Sequence, residues 1–175
     1  LFEIPSAMQT AALRRGEIDA GLLLPPVHED GIQLDRLWRK DWLVAMPAGH
    51  RLADMEAVPI GDLAGENFIT AHPEFGLGCY AQRQEMFVVA GVQPHIVARA
   101  FRRLTMAMLV LSGAGVTFVP GIFSSVVMDG IVTRPLSSDG HRMHVALAYL
   151  EGDLQGIVGQ FLRIASATVA AFQAR

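Results

Sequence analysis

The chain has 175 residues, of which 51% are apolar and 18% charged, so it can bury a sizeable core and is not a disordered polymer. Its 14 basic and 17 acidic residues leave a net charge of −3, and the densest basic cluster is only Arg99, Arg102 and Arg103. That is too little clustered positive charge to neutralise a run of phosphates, which excludes a nucleic-acid-binding surface on this stretch.

In chain order, Leu1–Ile4 reads as the tail of a strand. Pro5-Ser6 opens a helix with Ser6 as N-cap, Gly16 as stop, and Met8, Ala11, Ala12 and Leu13 as its apolar stripe. Ile18–Leu24 is a short apolar run of the kind that forms buried parallel strands, so the chain opens strand–helix–strand. Extended stretches follow at Ile32–Trp38 and Trp42–Met46, then a turn at Pro47–His50 and an irregular segment with a helical turn near Gly61–Leu63. Phe68–Ala71 is a strand, and the breaker-rich run His72–Gly78 leads into a helix from Cys79 to Ala90, stopped by Gly91. Ile96–Phe101 is a strand and Leu104–Leu111 a helix stopped by Gly113. Val116–Val119 is a strand, Ile122–Met128 a helix, and Ile131–Pro135 and His144–Leu150 are strands. Leu154–Phe172 closes the chain as an amphipathic helix on Leu154, Ile157, Val158, Phe161, Leu162, Ala165 and Val169.

Residues 104–128 carry no charge, but Ser112–Gly115 and Pro120-Gly121 interrupt them, which argues against a membrane span. No basic stretch followed by an apolar run opens the chain, so no signal peptide is expected in it. The one cysteine, Cys79, cannot form an internal disulfide and suits a reducing, cytoplasmic setting.

Strands alternating with helices imply an α/β fold with parallel sheets. Ligands in such folds sit beyond the carboxyl ends of strands, where helix N-termini present free N–H groups. The helix starts here are Pro5-Ser6, Gly78-Cys79 and Arg103–Thr105. Catalytic and metal signatures are missing. The six histidines form no HExxH pattern and have no cysteine pair beside them, so they read as solvated loop residues and no metal or other cofactor is expected. Cys79 with His72 is the one nucleophile–base pair to weigh, against a half-buried thiol at a helix start. Gly113-Ala114-Gly115 precedes its strand, which makes it a helix C-cap and tight turn and not a dinucleotide loop. Arg102 and Arg103 read either as an anion clamp aided by the helix dipole or as solvated cations.

Five segments in order carry a resemblance. They are Gly16–Gly21, Leu37 through Trp42–Ala53, Asp62-Leu63 with Asn67–Ile69, Gly91–Pro94, and Leu109–Pro120. Together they resemble the effector-binding domain of LysR-type transcriptional regulators over essentially the whole chain. The resemblance implies two Rossmann-like α/β subdomains joined by two crossover strands, in the manner of a type 2 periplasmic binding protein. Residues 1–39 and 144–175 would form subdomain I and residues 40–143 subdomain II, with crossovers near Arg39–Asp41 and His141–His144. It implies no enzyme, but a domain that takes a small co-inducer between its subdomains. The effector contacts it implies are Ser6, Phe75, Gly78, Cys79, Tyr80, Arg102, Arg103 and Thr105, with the two arginines favouring a carboxylate. It further implies a homo-dimer or tetramer, and DNA binding only through an N-terminal helix–turn–helix that this sequence does not contain. The family's domain also opens with one more strand and helix than this sequence shows. A transporter's solute-binding protein has the same fold and is the alternative.

Overall fold

A computed structural model describes residues 1–25, 30–75, 77–121, 128–137, 142–152 and 156–173. The elements are α1 (Ser6–Arg14), β1 (Ala20–Leu23), β2 (Ile32–Pro47), a 3-10 turn (Ile60–Leu63), β3 (Asn67–Ala71), a second 3-10 turn (Pro73–Phe75), α2 (Leu77–Val89), β4 (His95–Ala100), α3 (Arg103–Leu111), β5 (Thr117–Pro120), β6 (Ile131–Pro135), β7 (Arg142–Leu150) and α4 (Ile157–Gln173). The chain divides into two compact units: Leu1–Arg39 with Gly76–Gly78 and His144–Arg175, and Lys40–Phe75 with Cys79–Met143. Two strands run from one unit into the other. β2 does so as one unbroken 16-residue strand, where the sequence reads as two. β7 does so between Met143 and His144.

In the first unit β7 is covered on both faces, which is why Ala146 to Ala148 are all essentially inaccessible. The two-residue period of the strand sorts its side chains. Ala146 and Ala148 meet Leu13 of α1 and Leu23 of β1, with Ile32 and Leu34 of β2 packed alongside. Leu147 and Tyr149 meet Val158 and Leu162 of α4, with Leu37 alongside. On that second face the Tyr149 hydroxyl donates to Asp35 Oδ2 at 3.1 Å.

Several expectations for this unit change. Leu1–Ile4 is not a strand; among the described residues no backbone pairs with it, and the Ile4 carbonyl accepts a bond from Gln9 Nε2. β1 is antiparallel to β7, Ala20 opposite Tyr149, and not part of a parallel crossover pair. In α1, Met8 and Ala11 face solvent, while Gln9 and Thr10 are buried with Ala12 and Leu13. In α4, Val158, Leu162 and Ala165 face the core but Phe161 is exposed. The N-cap of α1 is Pro5, whose ring supplies no side-chain cap, and Ser6 is the first helical residue.

In the second unit the later half of β2 is flanked by β5 and β6, both antiparallel to it. β3 and β4 form the parallel pair. Phe68 of β3 packs edge-on against Phe87 of α2 and Phe118 of β5, with centroids 4.9 and 4.7 Å away. Ile69, on the opposite face, meets Met106 and Val110 of α3. α3 ends as its sequence requires: Gly113 takes φ +80°, and Gly113 and Ala114 donate back to Val110 and Leu109. Residues 122–127 of the expected helix over 122–128 and the crossover residue His141 lie outside the described residues, and Met128 is not helical.

Candidate functional site

The parallel strands β3 and β4 end side by side, with Ala71 opposite Ala100 and the His72 N–H still bonded to the Ala100 carbonyl at 3.0 Å. Beyond their carboxyl ends the chain turns into α2 from one strand and α3 from the other. This is where parallel α/β structure aims helix N-termini at a ligand.

Arg102 is the N-cap of α3 in extended backbone, and its side chain makes no capping bond. Its carbonyl accepts the Met106 N–H at 3.1 Å, and no acidic residue stands in the first turn. The helix dipole and two adjacent guanidiniums therefore add with the same sign here. Arg102, Arg103 and Thr105 are all exposed.

At the strand tips the His72 ring stacks on Phe101, with centroids 4.3 Å apart and planes 22° from parallel. His72 Nδ1 is shut off from solvent and, among the described residues, has no hydrogen-bond partner, although the Glu74 carboxylate lies 3.7 Å away. Phe101 stays half exposed, so the tips carry an open aromatic face next to the arginines. His72 is thus not simply a solvated loop histidine, and neither is His50, whose ring is paired with Glu66 at 3.2 Å.

The structure places the other expected residues as follows. Tyr80 is half-buried in the first turns of α2. Gly78 and Cys79 belong to the same helix, which starts at Leu77, two residues earlier than expected, and Phe75 closes the preceding 3-10 turn. The side chains of Phe75 and Cys79 lie outside what is described, as does any Cys79–His72 pairing. Ser6 belongs to the first unit; its Oγ accepts the Leu24 N–H at 3.4 Å, tying the start of α1 to the end of β1.

Sequence reasoning missed Arg83. It is buried on α2, with its guanidinium carbon 5.2 Å from the centroid of Trp42 on β2. Its only advance signal was a basic residue inside an otherwise weakly charged helix. Among the described residues no group of three His, Cys, Asp or Glu side chains gathers to hold a metal, and no helix is long and apolar enough to cross a membrane.

The fold is the type 2 periplasmic-binding-protein-like α/β fold. The BenM effector binding domain with its effector benzoate matches it with a TM-score of 0.86 at 24% identity, over 99% of this chain and 79% of that one. The effector binding domain of QuiR in complex with shikimate matches with a TM-score of 0.82 at 18% identity, over 94% of this chain and 78% of that one. The chain belongs to the LysR substrate binding domain family, whose model matches residues 1–170. Among its relatives is the Hca operon transcriptional activator HcaR of Escherichia coli (strain K12), 27% identical over 174 residues. That match takes in 99% of this chain and 59% of HcaR, so the chain spans well under two thirds of that relative.

Proposed function

We propose that the chain is the ligand-sensing part of a LysR-type transcriptional regulator and that it takes a small carboxylate as effector. The family match over residues 1–170 carries the regulator reading. HcaR is a transcriptional activator, which favours this reading over a transporter's solute-binding protein. The carboxylate class is supported by Arg102 and Arg103 standing at an uncapped helix N-terminus. The ligands of the two structural neighbours, benzoate and shikimate, are both carboxylates.

In this reading Arg102, Arg103 and Thr105 hold the carboxylate. Ser6, Phe75, Gly78, Cys79 and Tyr80 are the other proposed contacts. The domain performs no catalysis; effector binding acts on DNA binding by a helix–turn–helix elsewhere in the whole regulator, which works as a dimer or tetramer. Calorimetry and thermal shift with benzoate, shikimate and related carboxylates test it, since a ligand that binds only the folded state raises the melting temperature. Binding should weaken about tenfold or more in Arg102→Ala or Arg103→Ala, the scale of one charge-assisted hydrogen bond. Unchanged affinity in both removes the arginines from the site.

A further inference from the structure

The aromatic pair at the strand tips has no part in the contacts proposed so far. His72 and Phe101 are each the first residue beyond a strand, after Ala71 of β3 and Ala100 of β4. The bond from the His72 N–H to the Ala100 carbonyl keeps the two ends level, and the rings stack 22° from parallel. Backed in this way, Phe101 still leaves half of its surface open to solvent. An exposed phenyl ring gains by being covered, and a second aromatic ring covers it with a further preference for offset-stacked or edge-on contact.

The same ring lies beside the start of α3. Arg102, between them, has extended backbone with φ −122° and ψ 142°. Side chains two apart along extended backbone project to one side, so Phe101 and Arg103 share a side. Arg103 opens α3, and no side chain of the N-cap residue caps that end. The N–H groups of a first helical turn have no acceptor within the helix. A carboxylate at this helix start therefore has an apolar ring surface next to it. His72, Phe101 and Arg103 all belong to the second unit.

We propose that Phe101 is a specificity-determining residue of the strand-end site and that it selects an aromatic carboxylate. The ligand's ring packs on the exposed part of Phe101, and its carboxylate sits at the start of α3. The inference rests on the carboxylate reading above and narrows it to planar rings.

Calorimetry with sodium benzoate and sodium cyclohexanecarboxylate at neutral pH and constant ionic strength tests it. The two anions carry the same charge on a six-membered ring. Burial of apolar area alone favours the saturated ring no less than the planar one, so a preference for benzoate reports ring-on-ring contact. The parent should prefer benzoate by about two- to tenfold, the scale of one aromatic pair. Phe101→Leu keeps an apolar side chain without a ring, and there the preference should vanish while both anions still bind. Circular dichroism checks that this variant folds, and Phe101→Met replaces it should it not. Equal affinity of the parent for the two anions overturns the inference and leaves the carboxylate reading standing, as does a preference that survives the loss of the Phe101 ring. Binding of neither anion by the parent overturns both.

Discussion

Three glycines of the second unit separate two physical effects that a glycine substitution mixes. At Gly115 the backbone angle is ordinary, but a Cβ would run into the Asn67 carbonyl oxygen and stand 2.8 Å from its carbon and 3.1 Å from Asn67 Cβ. Those atoms are the first residue of β3, not the far end of a flexible side chain. The same few atoms form the seam between β3 and β5. The Val116 N–H donates to Asn67 O, and the Ile69 N–H donates to Val116 O, each at 2.8 Å. Overpacking a rigid site costs about 1–3 kcal/mol, and each bond lost from the seam about 1 kcal/mol. Gly115→Ala should therefore destabilise by about 3–4 kcal/mol. Gly113 has φ +80° and open space around it, so Gly113→Ala carries backbone strain alone, about 1–2 kcal/mol. Gly49 has neither problem, and Gly49→Ala should stay within about 0.5 kcal/mol of the parent. Urea unfolding followed by far-ultraviolet circular dichroism measures all three from midpoint and slope. A Gly115→Ala variant no less stable than Gly113→Ala would refute the close approach of β5 to β3.

Gly21 offers a coupled case in the first unit, where an added Cβ would meet the Gln9 side-chain carbonyl. The Gln9 amide also donates to Ile4 O at 2.9 Å and Leu22 O at 3.0 Å. Gly21→Ala should break those bonds, so Gln9→Ala/Gly21→Ala should lose about 1 kcal/mol less than the sum of the singles, read from a double-mutant cycle. Phe118 is fully buried between Phe68 and Phe87, and Phe118→Ala should cost about 3–5 kcal/mol in the same urea assay. Burial first, and then its bond to Asp35, raise the Tyr149 pKa above the usual 10.0. The folded state then keeps a proton that the unfolded chain releases. The stability from Tyr149 is complete below pH 10 and drains away as pH rises from there through the folded pKa. A stability profile across that range should fall less steeply in Tyr149→Phe; an identical alkaline limb in both proteins contradicts the assignment.

The elements set by local rules were legible in the sequence, and those set by distant partners were not. Gly113 ends α3 and Gly91 ends α2 because each takes the left-handed conformation that glycine tolerates best, a property of one residue. The apolar run ending at Leu24 gave the strand but not its direction. The direction of β1 comes from β7, more than a hundred residues downstream, which lies antiparallel to it. The α1 stripe was misread for a related reason. Gln9 is polar but buried, because its amide satisfies two backbone carbonyls that only the folded chain brings together. Periodicity counts apolar side chains, and it cannot see a polar one used in this way.

The candidate site divides along the same line. Breakers and short apolar runs put the helix starts at Cys79 and Leu104, within two residues of the observed Leu77 and Arg103, so the arginines could be placed at a strand end from sequence. The His72–Phe101 stack could not, because it depends on the pairing of β3 with β4. That pairing starts with Asn67 opposite His95 and Phe68 opposite Ile96, then slips so that Ile69 faces Ala98 and Ala71 faces Ala100. The slip leaves Val97 as an extra residue in β4. Without it Ala71 would face Arg99, and His72 would come level with Ala100 in place of Phe101. A bulge therefore aims a side chain at the strand tips, and it does so next to the Arg102 N-cap. The aromatic face beside the arginines is a product of register, built from residues whose individual identities signal nothing about a site.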